Sequence, residues 1–199
     1  MRNEQKSILI YYEGETERNY IDGLRKYFND RYRLNKNHFR FSFKRSLVSV
    51  NLIKKCEKNL KRNDWDHIFI VQDREEIQDR INTLKESENY LKNIEKKYRD
   101  RISIIVSNPS FEFWLCLHFE ELTNKHIKIK QLEDRLSKIT NVLYDKSDIK
   151  NWLDKNIFDN FDKIDTAILN AKKIMNKNNE KYEFCESNFY ELIDYILKR

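Results

Sequence analysis

Glycine and proline are almost missing from this sequence, which has two glycines and one proline in 199 residues. With glycines only at positions 14 and 23, neither the G-x-G-x-x-G dinucleotide loop nor the G-x-x-x-x-G-K-[ST] phosphate loop can be written. A β-sandwich would need turn glycines for its hairpins, and a flexible linker would need Gly, Ser or Pro. The sequence therefore excludes the common nucleotide-binding loops and argues against both of these architectures.

Cysteines and long apolar runs are also scarce. Cys56, Cys116 and Cys185 lie far apart without a C-x-x-C pair, which argues against a disulfide framework or a zinc site and is typical of a reducing cytoplasm. We expect each of them to be a buried small apolar residue. The first apolar run, residues 8–12, is too short for a signal peptide or a membrane span, so we expect a cytoplasmic protein without membrane attachment.

Positive charge is present but unevenly spread. The whole chain carries a formal charge of +6, whereas residues 18–62 hold fourteen Lys/Arg against three Asp/Glu, a net +11. A basic segment of this kind is expected of a phosphate-binding surface. The alternative is that lysine simply occupies solvated faces, which gives the same count.

One stretch of the basic segment alternates aromatic and polar residues and predicts a half-buried strand. Phe39, Phe41 and Phe43 would face the core, and Arg40 and Lys44 would lie on the opposite face. We expect such a strand at or near a sheet edge. Its basic face could track a nucleic-acid backbone or could protect the edge against aggregation.

Three nearly continuous apolar runs, at residues 7–12, 67–71 and 101–106, predict strands that are covered on both faces. Helical composition fills the intervals, over residues 16–33, 48–62 and 76–99. The resulting order β-α-β-α-β-α-β is typical of an α/β fold with a parallel sheet.

Only helical periodicity follows the last predicted strand. An apolar helix over residues 110–121 opens with Ser110 as its N-cap, and the remaining helices are predicted over 130–139, 148–156, 162–178 and 187–198. We therefore predict a Rossmann-like α/β core of about four parallel strands over residues 1–122. A helical C-terminal elaboration over residues 123–199 would pack on this core.

Carboxylates follow the predicted central strands at the point where each strand ends. Glu13 follows the first strand, Asp73 and Glu75 follow the strand at 67–71, and Glu112 lies within one helical turn of the strand at 101–106. The carboxyl ends of parallel strands meet at one edge of the sheet, where ligands bind in doubly wound folds. Asp73 and Glu75 are two apart in an extended chain, so their side chains would point the same way. Hard oxygen ligands of this kind select Mg²⁺ or Mn²⁺ and suit phosphate chemistry.

The first acidic motif has a further candidate role and a competing explanation. Glu13 is a candidate general acid or base, and Gly14 after it would allow a sharp turn or a close backbone approach. Alternatively, Thr16 simply caps the next helix while Glu15 and Glu17 complement its dipole. In the same way, the acid at position 73 would cap a helix starting at position 75.

Glu112 and His118 lie six residues apart on the apolar helix, about 240° apart around its axis. They would not share a face, and we expect His118 to be a core histidine. Trp114, Leu115 and Phe119 are expected in the core as well.

Three motifs, in this order and spacing, resemble the RloB-like family: E-G-E-T-E at 13–17, D-R-E at 73–75 and S-N-P-S-F-E-F-W-L-C-L-H-F at 107–119. Ala171 followed by S-N-F-Y-E-L at 187–192 is similar to the ending of the family, so the resemblance covers essentially the whole chain. It implies a Toprim-like fold, a place in phage defence, and an ATPase partner of the RloA or AbiL type.

The resemblance also implies residue roles. Glu13 matches the Toprim glutamate, and Asp73 and Glu75 match the D-x-D pair that surrounds Mg²⁺ in that domain. The family's own motifs include residues whose role it does not fix, namely Gly14, Asn108, Glu112 and His118. Glu75 stands where the pattern has Asp, so the resemblance is compatible with an active site and with a degenerate one, since Glu can still coordinate Mg²⁺.

These features together predict a metal-dependent nuclease of phage defence. Glu13 would be a ligand or the general acid/base, Asp73 and Glu75 would hold Mg²⁺ or Mn²⁺, and Glu17 and Glu112 would be supporting acids. The DNA or RNA backbone would bind basic residues, namely Arg18, Arg40, Lys44, Arg45 and Arg74.

The alternative is a regulatory subunit that binds nucleic acid or an ATPase around a relic site. Either form is compatible with a homo-oligomer. The nuclease requires the carboxylates of Glu13, Asp73 and Glu75 to reach one ion.

Overall fold

The computed structural model describes residues 5–34, 38–75, 77–122, 126–177 and 184–198. One five-stranded sheet has the order β2-β1-β3-β4-β5. Its strands are β1 (Lys6–Tyr12), β2 (Phe39–Arg45), β3 (His67–Asp73), β4 (Ile102–Asn108) and β5 (Glu186–Ser187). The first four run parallel and β5 pairs antiparallel with the end of β4. The predicted α/β class with a mainly parallel sheet is confirmed.

Helices cover both faces of the sheet. They are α1 (Glu15–Tyr32), α2 (Val50–Lys61), α3 (Gln78–Asn93), α4 (Lys96–Arg99), α5 (Phe111–Cys116), α6 (Ile129–Thr140), α7 (Ile149–Asn156), α8 (Asp162–Lys177) and α9 (Tyr190–Leu197), with a 3-10 turn at Lys146–Asp148. Side chains alternate between the faces along each strand. One face of the sheet therefore packs against α2, α3 and α4, and the other against α1 and the helices from α5 onward.

Three details differ from the sequence prediction. The helix expected over residues 76–99 is divided into α3 and α4, and the helix expected over 110–121 ends at Cys116. The third detail is β5, because only helical periodicity was expected after residue 106. A two-residue strand is too short to produce an alternating pattern.

The C-terminal helices share a hydrophobic core with α1 and α5. Tyr20 of α1 lies at the centre of this core, with its ring centroid 5.4 Å from those of Phe111, Phe158 and Phe189. Gly23, one turn further along α1, is in contact with Phe158, since a Cβ at this position would lie 2.2 Å from the ring atom Cε2. Glycine is therefore required here by a close approach between α1 and the chain after α7.

The predicted edge strand lies at the edge of the sheet. Phe39 is buried, and Phe41 and Phe43 pack on the core formed with α1. Arg18 of α1 lies over the Phe43 ring at 3.8 Å, and Arg25 lies over both Phe41 and Phe43 at 5.7 Å. The edge is thus lined by guanidinium groups on aromatic faces, a favourable cation–π arrangement.

Two expectations from composition can be compared with the structure. Cys56, Cys116 and Cys185 are free and buried, as expected of small apolar residues. Among the helices of the described residues, none combines the length and the hydropathy that crossing a membrane requires.

Candidate functional site

Four acidic side chains come from the carboxyl ends of three neighbouring strands. Glu13 directly follows β1, and Glu17 lies in the first turn of α1. Asp73 is the last residue of β3, and Glu112 lies in the first turn of α5, just after β4. We refer to these four residues as the acidic cluster.

The Glu13 carboxylate is held on both oxygens. Its Oε1 lies 2.5 Å from Nη1 of Arg80, and its Oε2 accepts a hydrogen bond from the Asp73 backbone N–H at 3.3 Å. The guanidinium Nε of Arg45 donates to the Glu13 backbone oxygen at 2.9 Å. Position 13 is therefore fixed by residues from β2, β3 and α3.

Glu17 is nearly inaccessible, with 3 % of its surface exposed. A Cβ on Gly14 would lie 2.9 Å from the Glu17 Oε2 atom, so a larger residue at position 14 would displace this carboxylate. Burial raises the pKa of Glu17 from 4.5 to about 7; the N–H groups of Glu17 and Gly14 lower it, and the charges of Glu13 and Glu112 raise it. Glu17 therefore changes its protonation close to neutral pH.

Asp73 is the least compensated member of the cluster. Burial raises its pKa well above the usual value, and the neighbouring carboxylates of Glu17, Glu112 and Glu13 raise it further, while Lys146 lowers it. Its buried Oδ1 atom has no hydrogen-bond partner among the residues that the structure describes. A buried acceptor without a partner carries its full desolvation penalty, so this atom is suited to an external ligand.

Glu112 is buried as well, but it is fully compensated. Ser110 and Tyr144 donate hydrogen bonds to its two oxygens at 2.5 and 2.9 Å, and Lys146 Nζ lies 2.9 Å from Oε1. Burial acts to raise the pKa of Glu112, but Lys146 and Ser110 outweigh it and the pKa is lowered. Glu112 thus remains ionised and supplies a fixed negative charge to its neighbours.

Glu75 lies outside this arrangement. Its backbone has φ of 46°, in the left-handed region, and its N–H donates to the Pro109 oxygen at 2.9 Å. The chain is therefore not extended here, contrary to the premise that Asp73 and Glu75 point the same way. The Glu75 carboxylate faces Arg80 instead, with Oε2 3.4 Å from Nε.

A divalent cation can be tested against these donors. Among the described residues, no three His, Cys, Asp or Glu side chains are already arranged to hold one ion, so the expected convergence of Glu13, Asp73 and Glu75 on one ion is not found. The donor chemistry nevertheless fits Mg²⁺ or Mn²⁺, because the site offers two buried carboxylates with raised pKa values, Glu17 and Asp73, and an Asp73 oxygen without a partner in the described part of the chain. A bound cation would neutralise the repulsion that raises these pKa values.

The capping residues differ from those that the alternative required, although Glu15 and Glu17 do lie in the first turn of α1 as it expected. The N-cap of α1 is Gly14 rather than Thr16, and the N-cap of α3 is Ile77 rather than Asp73. Glu17 does lie against the N–H of Gly14, so it has a local structural role in addition to its place in the cluster.

The predicted nucleic-acid-binding residues lie in two places. Four are at the β2 edge, where Arg40 lies over the Trp65 ring at 5.1 Å and Lys44 and Arg45 are exposed, next to Arg18 on α1. Arg74 lies instead after β3, where its N–H donates to the Ser107 oxygen at 2.9 Å. Their binding role stays a prediction.

Two motif residues have clear structural contacts. Asn108 donates to the Phe184 oxygen at 2.5 Å and holds the segment that leads into β5. His118 is buried, as expected, and burial lowers its pKa to about 3. Its Nδ1 faces the Trp114 and Leu115 carbonyls at 3.0 and 3.1 Å, so Nδ1 carries the proton and Nε2 accepts from the Tyr20 hydroxyl.

Sequence reasoning missed Arg80, Tyr144 and Lys146. No helical or strand spacing connects Arg80 to the second acidic motif, which ends five residues before it and outside α3. No local pattern marks Tyr144 and Lys146, since they reach Glu112 from the connection between α6 and α7.

The fold and the site define a class: an α/β protein with a mainly parallel sheet and a buried acidic cluster at the carboxyl ends of its central strands. The family model described as RloB-like protein matches residues 8–196, so the chain belongs to that family. The resemblance drawn from the three motifs is thereby confirmed. No curated protein and no solved structure matches the chain.

Proposed function

We propose that this RloB-like protein is a divalent-metal-dependent nuclease of phage defence, with a Toprim-type site formed by the acidic cluster. The observation that carries the proposal is Asp73, a buried carboxylate that neighbours three others and has an oxygen without a partner among the described residues. Structural carboxylates are ordinarily paired or hydrogen-bonded. An uncompensated one at the ligand-binding edge of a parallel sheet supports a cation-binding role.

Asp73 and Glu13 would hold the cation, with Glu17 beside them. When bound, Mg²⁺ or Mn²⁺ supplies positive charge to the phosphodiester and lowers the pKa of a coordinated water. Glu17, whose pKa is raised mainly by burial, is the residue suited to hold or release a proton. Glu112 stays ionised and joins α5 to the connection between α6 and α7.

Substrate would approach along the β2 edge. Arg45 bonds to the backbone of Glu13, so this basic edge begins at the site itself. Arg18, Arg40 and Lys44 extend the positive charge away from it. Such residues bind backbone phosphates without reading sequence.

Cleavage of labelled DNA and structured RNA in Mg²⁺ or Mn²⁺ tests this proposal. We expect Glu13→Gln and Asp73→Asn each to lower the rate by at least about a hundredfold, because each removes a charge needed by the cation. Asp154→Asn, which removes an exposed acid of α7 paired with Lys150 at 3.1 Å, is the matched control. If both site variants cleave nucleic acid at the rate of the wild type, this site is ruled out.

A second candidate function is a regulatory subunit that binds nucleic acid or an ATPase of the RloA or AbiL type around a relic site. It is favoured by Arg80, whose guanidinium already occupies Glu13 and Glu75. Calorimetry with Mn²⁺ separates the two functions. The regulatory function is supported if no ion binds and the Glu13→Gln variant keeps its partner.

A further inference from the structure

Arg80 lies where the acidic cluster meets an open cleft. It is the third residue of α3, and its side chain is 32 % exposed. The cleft has a volume of about 160 Å³ and is lined by Glu13, Asp73 and Arg80 on one side and by Val48 and Thr83 among others. The guanidinium therefore faces both the carboxylates and the space through which a substrate would enter.

The contacts of Arg80 take up two of the acids that the sequence assigned to the cation. Nη1 lies 2.5 Å from Glu13 Oε1, and Nε lies 3.4 Å from Glu75 Oε2. Asp73, whose Oδ1 has no partner among the described residues, is not one of its ion-pair partners. Arg80 thus compensates only part of the acidic site.

We propose that Arg80 is the phosphate-binding residue of this site, and that without a bound cation it occupies the Glu13 carboxylate that the cation would take. The proposal rests on the nuclease function proposed above. A guanidinium matches carboxylate and phosphate with the same planar fork of donors, so it can exchange one for the other. A divalent ion on Glu13 would repel the guanidinium and favour its release toward a phosphate in the cleft.

This arrangement predicts opposite effects on two ligands. Removing the guanidinium frees Glu13, so the cation binds more tightly. The same change removes a donor for phosphate, so nucleic acid binds more weakly. A residue that merely ties α3 to β1 would, when removed, loosen the site and weaken both ligands together.

The test compares Mn²⁺ binding by calorimetry with binding of a fluorescein-labelled oligonucleotide in Ca²⁺ by anisotropy. For Arg80→Gln we expect the Kd for Mn²⁺ to fall about tenfold and the Kd for the oligonucleotide to rise about tenfold. A tenfold change in Kd corresponds to the gain or loss of about one charge-assisted hydrogen bond. Arg80→Lys keeps the charge without the fork and should lie between wild type and Arg80→Gln for both ligands. Arg99→Gln, in α4 before β4, is the control and should change neither.

The wild type and the variants answer separate questions. Failure of the wild type to cleave nucleic acid or to bind Mn²⁺ counts against the nuclease function. If the wild type does not bind Mn²⁺ but Arg80→Gln does, occupation of the site by Arg80 is supported. If neither protein binds Mn²⁺, the inference is overturned. With an active wild type, weaker Mn²⁺ binding or unchanged oligonucleotide binding in Arg80→Gln overturns it as well. Melting temperatures check that each variant is folded.

Discussion

Replacing Glu17 by glutamine is expected to stabilise the folded chain by an amount that grows with pH. Burial raises the pKa of Glu17 from 4.5 to about 7, so the folded chain keeps this proton where the unfolded chain has lost it. The free energy of unfolding therefore decreases as the pH rises through this interval. Each unit by which the pKa is raised lowers the free energy of unfolding at high pH by about 1.4 kcal/mol. Ionised Glu17 therefore destabilises the fold by about 3 kcal/mol above pH 7.

The glutamine variant removes the charge and keeps an acceptor oxygen for the N–H of Gly14. In urea unfolding at about pH 8, we expect it to be more stable than the wild type by about 3 kcal/mol, and at about pH 4 to be nearly equal to it. Mg²⁺ should stabilise the wild type more than the variant at the higher pH. Glu15→Gln controls for the loss of an acid from the same helical turn.

Either of two results would refute the reasoning about Glu17. One is a glutamine variant that is less stable than the wild type at the higher pH. The other is a difference between the two proteins that does not change with pH, since the whole effect comes from the ionised form.

Two more substitutions test the packing around the site. Gly23→Ala should destabilise the chain by about 2 kcal/mol in thermal unfolding, although alanine favours helices, because its Cβ would lie 2.2 Å from Phe158. This loss of stability should be smaller in a Phe158→Leu background. A Gly23→Ala variant that is more stable than the wild type would contradict the close packing. Lys146→Gln should lower the free energy of unfolding by about 2 kcal/mol at neutral pH, because it leaves Glu112 without its cation. This difference from the wild type should diminish in acid, as Glu112 becomes protonated. An equal loss of stability at every pH would show that charge is not the cause.

The sheet and its acids could be predicted because their sequence patterns have a single physical explanation. Strands covered on both faces must be continuously apolar, as at residues 67–71, and a strand with one partly exposed face alternates, as at Phe39–Arg45. An acid that follows a buried parallel strand can lie only at the carboxyl edge of the sheet. Glu13 and Asp73 were therefore located by topology alone.

The partners of the acids could not be predicted in this way. Arginine or lysine on a helix gives the same pattern whether it is solvated or paired with another element, so nothing local marks Arg80 or Lys146. The left-handed turn at Glu75 was equally hidden, because no glycine stands there to indicate it. The sequence thus indicated that Glu13 and Asp73 lie at one edge of the sheet, but it indicated neither the turn that separates Glu75 from them nor the cations that balance the acids.

The connection of Lys146 to Glu112 sets an order of events during synthesis. Every acid of the cluster leaves the ribosome before the lysine that balances Glu112, and β5, which completes the sheet beside Asn108, follows later still. A nascent or truncated chain that ends before position 146 holds all four acids without that cation. The acidic cluster is therefore among the last parts of the molecule to be finished.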